Sequence, residues 1–458
     1  GKRLCCSTRL MVAFLVLAGA CIQYCQKIDL SVNIICMVSP AEGNHTLANT
    51  FKWDKNTQGL LLSSFFWGFL WSQVIAGVLA SRFGPKWIMV ASMSINGFCI
   101  LLYPSAARTS YKMFMALRFL VGINAGVIFP CITQIWTKWG PKFDRTTLVG
   151  LSVSGAHLGS VLILPLGGIL CTKLGNDGWP ILFYIIGLMT LLWAMGWSFY
   201  FSNSPRKHRY ISDREKKYIL ACTPGKRKEK IKYQVPWSGI LYNKACWTQF
   251  ICHMLMNWSF YTLLTCMPMY MSEVLLFDMK SNGMMSAIPF ISIWITTIVS
   301  GRIADVVIQH DRIDRTTIRK AANLIGSVLP ACCLAGLCWI DSSRSYLAVV
   351  LLTTAHSFFG VAFGAGYLCV CNDLSVRFAG VLFGISNTFG TIPGIVSPYV
   401  TAIMTKDKTI SQWRRVFVIC STIWITAGVG FAIFGSAEDQ FTDEQDVFFE
   451  DNEQNKKC

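Results

Sequence analysis

The chain has 458 residues, 53% of them hydrophobic and only 14% charged. A water-soluble globule cannot hide that much apolar surface, because its exterior must meet water. The formal net charge is +17, but the basic residues sit in short connections between apolar runs, which argues against a nucleic-acid partner and for a lipid bilayer.

A helix needs about 20 apolar residues to cross the hydrocarbon core. In chain order the apolar stretches are about 10–38, 58–80, 87–104, 111–136, 146–171 and 180–201. Residues 202–244 then break the pattern with twelve Lys and Arg, from Arg206 to Lys244, against Asp213, Glu215 and Glu229. Six more stretches follow at about 245–271, 283–305, 319–340, 346–371, 379–404 and 412–435, and the tail from 436 is acidic. The predicted fold is all-α and integral to the membrane, with twelve spans in two six-helix halves. Its parts are an N-terminal half 1–201, a basic linker 202–244, a C-terminal half 245–435 and an acidic tail 436–458. With both termini on the cytoplasmic side, the inner connections carry 23 Lys and Arg and the outer loops eleven, the asymmetry that sets orientation. A glycosylation sequon, Asn44-His45-Thr46, falls in the first outer loop and agrees with that topology. Most of the 19 cysteines, including Cys99, Cys131, Cys252 and Cys371, lie in apolar stretches and read as small hydrophobic residues. No cysteine pair has metal-site spacing with histidine, so no metal is expected.

An internal repeat supports two parallel halves. Gly77-Val78-Leu79-Ala80-Ser81-Arg82-Phe83-Gly84-Pro85-Lys86 follows the second span, and Gly301-Arg302-Ile303-Ala304-Asp305 closes the eighth, six helices later on the same side. Gly77 allows helices to approach, while Arg82, Lys86 and Asp305 are placed to pin helix ends at a cytoplasmic gate. An ordinary positive-inside loop would explain the same charges.

Further motifs carry a resemblance. They are Gln58-Gly59-Leu60-Leu61-Leu62-Ser63-Ser64-Phe65-Phe66-Trp67-Gly68, Trp136-Thr137-Lys138-Trp139-Gly140-Pro141 with Asp144-Arg145, Gly178-Trp179, Asn257-Trp258-Ser259-Phe260-Tyr261, Asn282-Gly283 and Gly384-Ile385-Ser386-Asn387-Thr388-Phe389-Gly390-Thr391. On these the chain resembles, over nearly its whole length, the anion transporters of the major facilitator superfamily that include sodium–phosphate cotransporters, sialin and the vesicular glutamate transporters. The resemblance implies a secondary carrier, probed by its departures. The family usually has Arg before Asn-Leu-Ser-Val in the first helix; here Lys27 and Ile28 precede Asp29-Leu30-Ser31-Val32. A Glu that sialin-like members carry in the fourth helix falls on Ala125, an Arg of the glutamate transporters on Met256, and their fourth-helix His on Thr133. The absent Glu makes sodium the expected coupling ion, with a proton- or potential-driven sialin-like carrier as the alternative.

An ionisable group at membrane depth is a functional hypothesis by default. Arg118 sits about 10 Å and Lys27 about 16 Å inside their spans, at 1.5 Å per residue. Two cations at similar depth suit a small anionic substrate, Arg by a bidentate fork and Lys as a point charge. Asp29 is close to Lys27 in sequence but faces nearly the opposite way. Asn257, Tyr261 and Asn387 are expected as polar ligands and His157 as a proton relay. No nucleotide motif or nucleophile constellation occurs, so an enzyme is not expected. Transport then runs on a sodium or proton gradient with no bound cofactor, in a monomer. A non-transporting nutrient receptor on the same fold is the reading from another class.

Overall fold

The computed structural model describes residues 7–38, 51–140, 145–222, 236–310, 313–375 and 378–441. Asn44, Asp144 and Arg377 lie outside them, as do the side chains of Gly77, Arg82 and Thr133. The helices of the first half are α1 (Thr8–Val38), α2 (Lys55–Phe83), α3 (Pro85–Leu101), α4 (Tyr103–Thr109), α5 (Tyr111–Ala125), α6 (Ile128–Trp139), α7 (Arg145–Leu174) and α8 (Gly178–Tyr200). The linker holds α9 (Asp213–Cys222) and α10 (Trp237–Tyr242). The second half has α11 (Lys244–Glu273), α12 (Met279–Gln309), α13 (Arg315–Leu337), α14 (Ser345–Ala365), α15 (Tyr367–Leu374), α16 (Ala379–Met404) and α17 (Ile410–Phe434).

Nine stretches among the described residues are long and apolar enough to span, and the α3–α4 pair, bent by 46°, makes ten. The other two expected spans are α2 and α11, of 29 and 30 residues. They are long enough but more polar: α11 carries Gln249, His253, Asn257, Ser259, Thr262 and Thr265, all buried. A helix enclosed by other helices needs no apolar face toward lipid, so hydropathy falls where packing is tightest. The span breaks have local causes. Gly126 and Val127 separate α5 from α6. At Gly366, between α14 and α15, the freed Tyr367 amide donates to Asn323 Oδ1 of α13 at 2.9 Å, which satisfies a backbone group no water would reach. Helix starts are capped by side chains: Asn243 accepts from the Cys246 amide and Asp314 from the Thr317 amide.

The halves meet along three seams, α2 with α16, α7 with α12 and α1 with α11. Call the surface bearing the linker the linker face and the opposite one the far face. The far face is sealed. Lys55 at the start of α2 pairs with Glu273 at the end of α11, and Trp413 Nε1 donates to the other Glu273 oxygen at 3.2 Å. The family-motif glycines are the close approaches. A Cβ on Gly59 would lie 2.7 Å from Ala402 Cβ, and one on Gly283 would lie 2.5 Å from the Leu164 carbonyl oxygen. Toward the linker face three glycine positions on the seam helices are open. A Cβ on Gly150 of α7, or on Gly380 or Gly384 of α16, would meet nothing within 4 Å.

One reading of the cysteines needs correction. Cys36, at the far end of α1, is joined by a disulfide to Cys171 near the far end of α7. Sequence distance had hidden the pairing, since the two lie 135 residues apart. At the linker face, Glu215 of α9 accepts from the amides of Thr8 and Arg9 and from Arg9 Nε, at 2.9, 3.1 and 3.1 Å. Ile219 is fully buried beside α1. The tail segment up to Phe441 is tied to the second half, with the Gln440 amide donating to the Leu374 carbonyl at 2.9 Å.

Candidate functional site

Burial along α1 and α11 locates the centre. Gln26 through Met37 of α1 are all buried, and so are Ser259 through Met271 of α11. A helix buried on every face is surrounded by protein, so both stretches plug the far half of the interface between the halves. Lys27 and Tyr261 stand at the linker-side edge of these plugs, and Tyr24, one turn nearer the linker face, is partly exposed.

Lys27 Nζ donates to Tyr261 Oη at 3.2 Å. Four rings surround it, with centroids at 4.5 Å for Tyr261, 5.0 Å for Tyr24, 5.1 Å for Phe66 and 5.2 Å for Phe69. These rings stabilise the ammonium through their negative faces, but one hydrogen bond leaves two of its three donors unused. Among the described residues no carboxylate lies within ion-pair distance of Lys27. A buried cation without an anion is costly, and a bound anion removes that cost.

Asp29 faces the other way, as its spacing requires. Its Oδ1 accepts from Arg118 Nη1 at 2.8 Å, and Arg118 Nε donates to the Leu61 carbonyl at 3.1 Å. The two side chains are 0% and 1% exposed. Arg118 is therefore engaged inside the first half, on the α1–α5 seam, while Lys27 reaches the seam between halves. The sequence singled out both cations; the structure separates them.

The other expected ligands divide into two groups. Asn257 Nδ2 donates to the Gly390 carbonyl at 2.8 Å and its Oδ1 accepts from Tyr367 Oη at 3.2 Å. His253, one turn away, meets Ser386 Oγ at 2.8 Å through Nδ1. Gly390 makes this cluster possible, since a Cβ there would sit 2.7 Å from His253 Nε2 and 2.9 Å from Asn257 Nδ2. Asn387 Nδ2 donates to Gln73 Oε1, whose amide donates to Thr391 Oγ1 at 2.9 Å. That bridge crosses the α2–α16 seam on the linker side of Lys27. His157 lies across the α7 seam from the second half, its ring 5.4 Å from Phe363 and within electrostatic reach of His356. Sequence reasoning missed Gln73 and the aromatic cage; His253 was one of three in-span histidines, with His157 and His356, that it offered as a proton relay. Polar residues on α2 and α11 were the available signal, because each interrupts an otherwise apolar span.

Of the gate residues, Lys86 donates its amide to Asn203 Oδ1 at 2.9 Å and lays Nζ over Trp87 at 5.3 Å. Gly84 before it has φ of 80°, a left-handed turn that favours glycine. Asp305 is exposed at the linker-side end of α12, close in space to the Arg319–Asp373 pair, which is 2.7 Å long.

The model of the Major Facilitator Superfamily matches residues 30–398, across both halves and all three seams. The chain belongs to the major facilitator superfamily. Within it, sialin of Homo sapiens is 33% identical, over 95% of this chain and 91% of its own length. Vesicular glutamate transporter 2 of Homo sapiens is 31% identical, over 94% of this chain and 75% of its own. This major facilitator chain is thus a member of the anion-transporter family that the sequence motifs resemble, and a multi-pass membrane transporter rather than an enzyme. Solved structures agree on the fold. A bacterial homologue of the human lysosomal transporter Spinster, inward-facing and unoccupied, superposes with a TM-score of 0.72 at 14% identity, over 93% of this chain and 96% of that one. A D-xylose–proton symporter superposes with a TM-score of 0.67 at 14% identity, over 95% and 99%.

Proposed function

We propose that the protein is a secondary carrier of a small anion, organic or phosphate, working by alternating access with Lys27 as the cation that receives the anion. The observation that carries this reading is the unpaired, aromatic-caged Lys27 at the linker-side edge of the sealed plugs. An anion arriving there supplies the charge that Lys27 lacks, and Tyr24 and Tyr261 offer hydroxyl groups to fix its orientation. Relatives named for glutamate and the sialin relatives support the anionic class.

The linker face is assigned to the cytoplasm. Disulfides persist in oxidising compartments, which puts Cys36–Cys171 on the luminal or extracellular side, and the basic linker belongs on the opposite one. The structure then corresponds to the state closed to the lumen or exterior. The carrier must next break the Lys55–Glu273 pair and open the far seam, then close the linker side.

The test is exchange in proteoliposomes, with labelled phosphate, sialic acid, glutamate and urate each presented outside vesicles loaded with the same unlabelled compound. Exchange of at least one anion by the wild type, lost in Lys27→Ala at equal protein incorporation, is the expected result. Exchange by Lys27→Ala at the wild-type rate would overturn the assignment.

A further inference from the structure

We infer that Asp29 is the proton-coupling carboxylate of this carrier, so that a proton and not sodium accompanies the anion. The inference rests on the anion-carrier reading and adds what drives it.

The geometry begins with an incomplete ion pair. Asp29 uses Oδ1 for Arg118, while Oδ2 is buried with no hydrogen-bond partner among the described residues. Tyr103 Oη, on α4 beside the pair, is buried and unpartnered as well. The titratable groups that face Asp29 are Arg118 from α5, Tyr103 from α4 and Cys25 on α1 itself. A buried carboxylate with one unsatisfied oxygen keeps its charge only through its cation. Added negative charge at Lys27, two residues away on α1, makes Oδ2 the place where a proton binds.

The seam adds a second observation. Helices α1 and α5 run antiparallel, and Gln23 Nε2 donates to the Ala125 carbonyl at 3.3 Å while Asp29 meets Arg118. Arg118 and Ala125 are seven residues, about two turns, apart and share one face of α5. Positions 29 and 125 therefore lie on the same seam. The family pattern has Asn at the first and, in sialin-like members, Glu at the second; this chain has Asp29 and Ala125.

Charge completes the case. Lys27, Arg118 and ionised Asp29 sum to one positive charge when the site is empty. A monovalent anion alone would bring that to zero, while an anion with a proton on Asp29 returns it to one positive charge. Loaded and empty carrier then cross the membrane field with the same charge. Proton and anion also favour each other reciprocally through charge, because a proton on Asp29 raises the positive charge that an anion at Lys27 meets and the anion lowers the cost of that charge. The proton comes from water on the side to which the site is open, forms an O–H bond at Oδ2, and leaves to water on the other side. The anion is chemically unchanged.

The experiment uses the purified full chain in proteoliposomes with whichever of labelled phosphate, sialic acid, glutamate or urate exchanges. Three readings are taken: uptake under an imposed pH gradient, uptake under an imposed sodium gradient, and acidification of a luminal pH dye during anion entry. The wild type is expected to accumulate the anion on the pH gradient, to acidify the lumen, and to ignore sodium. Asp29→Asn is expected to lose accumulation on the pH gradient by about tenfold or more while exchange stays measurable. Asp29→Asn/Arg118→Gln, which removes the pair without leaving a lone charge, is expected to stay uncoupled. Sodium-driven uptake without luminal acidification in the wild type, or pH-driven accumulation in either variant, would overturn the proposal. Those wild-type readings need no variant to fold, and absence of exchange for every anion would strike the carrier reading instead.

Discussion

At the residue scale the account turns on two cations that look alike in sequence and differ in partnership. Lys27 is unpaired and Arg118 is held by Asp29 and the Leu61 carbonyl. Removing Arg118 leaves a buried aspartate without compensation, which costs about 3–5 kcal/mol. Arg118→Ala should therefore lower the melting temperature in detergent, and Asp29→Asn/Arg118→Gln should recover most of the loss. If Arg118→Ala melts with the wild type, the pair is not part of the folded core. Both cations were legible in the sequence because charge in an apolar run has few explanations. That Asp29 turns away from Lys27 was legible too, from helical spacing. What it turns toward was not, since Arg118 lies 89 residues away and only packing brings α5 against α1.

At the element scale the seams explain motifs that the sequence offered only as a resemblance. Gly59 and Gly283 sit where α2 meets α16 and where α12 meets α7. Gly59→Val would push its side chain into Ala402 and the backbone of Tyr399, so it should hold the far seam apart and reduce exchange severely at normal incorporation. Exchange unchanged in that variant would mean the far seam closes some other way. The disulfide staples the far ends of α1 and α7 within one half, so it braces that half without blocking its movement against the other. Cys36→Ser should lower stability by about 2–4 kcal/mol in a melting experiment and leave exchange intact. The α9 clasp has a pH sign. Burial pushes the Glu215 carboxyl up, but the bonds from Thr8 and Arg9 outweigh it and hold the group below its ordinary value. A group so lowered stabilises above the ordinary carboxylate range and loses that contribution as pH falls through its lowered value. Amide protection factors in α9 should thus be high at neutral pH and fall only below about pH 4, with Glu215→Gln low throughout. The linker's basic composition gave no sign of this clasp, because three acidic residues among twelve basic ones read as background.

At the scale of the whole molecule, apolar length accounts for ten of the twelve expected spans, with α2 and α11 long but more polar, and the repeat at Gly77 and Gly301 pointed to two related halves. Which face is closed was not legible, since one sequence must serve both states of an alternating carrier. The closed far face makes a prediction of its own. Gly59→Cys/Ala402→Cys brings two thiols together across the α2–α16 seam, within reach of a disulfide after a small adjustment. Oxidation should stop exchange and reductant should restore it; continued exchange in the oxidised protein would show that the halves do not part there. The most direct test of the central claim is anion binding at Lys27, read as the thermal shift of purified protein with rising concentrations of the anion found to exchange. The wild type should give a saturable shift, Lys27→Arg a weaker one and Lys27→Ala none. A full shift in Lys27→Ala would contradict it.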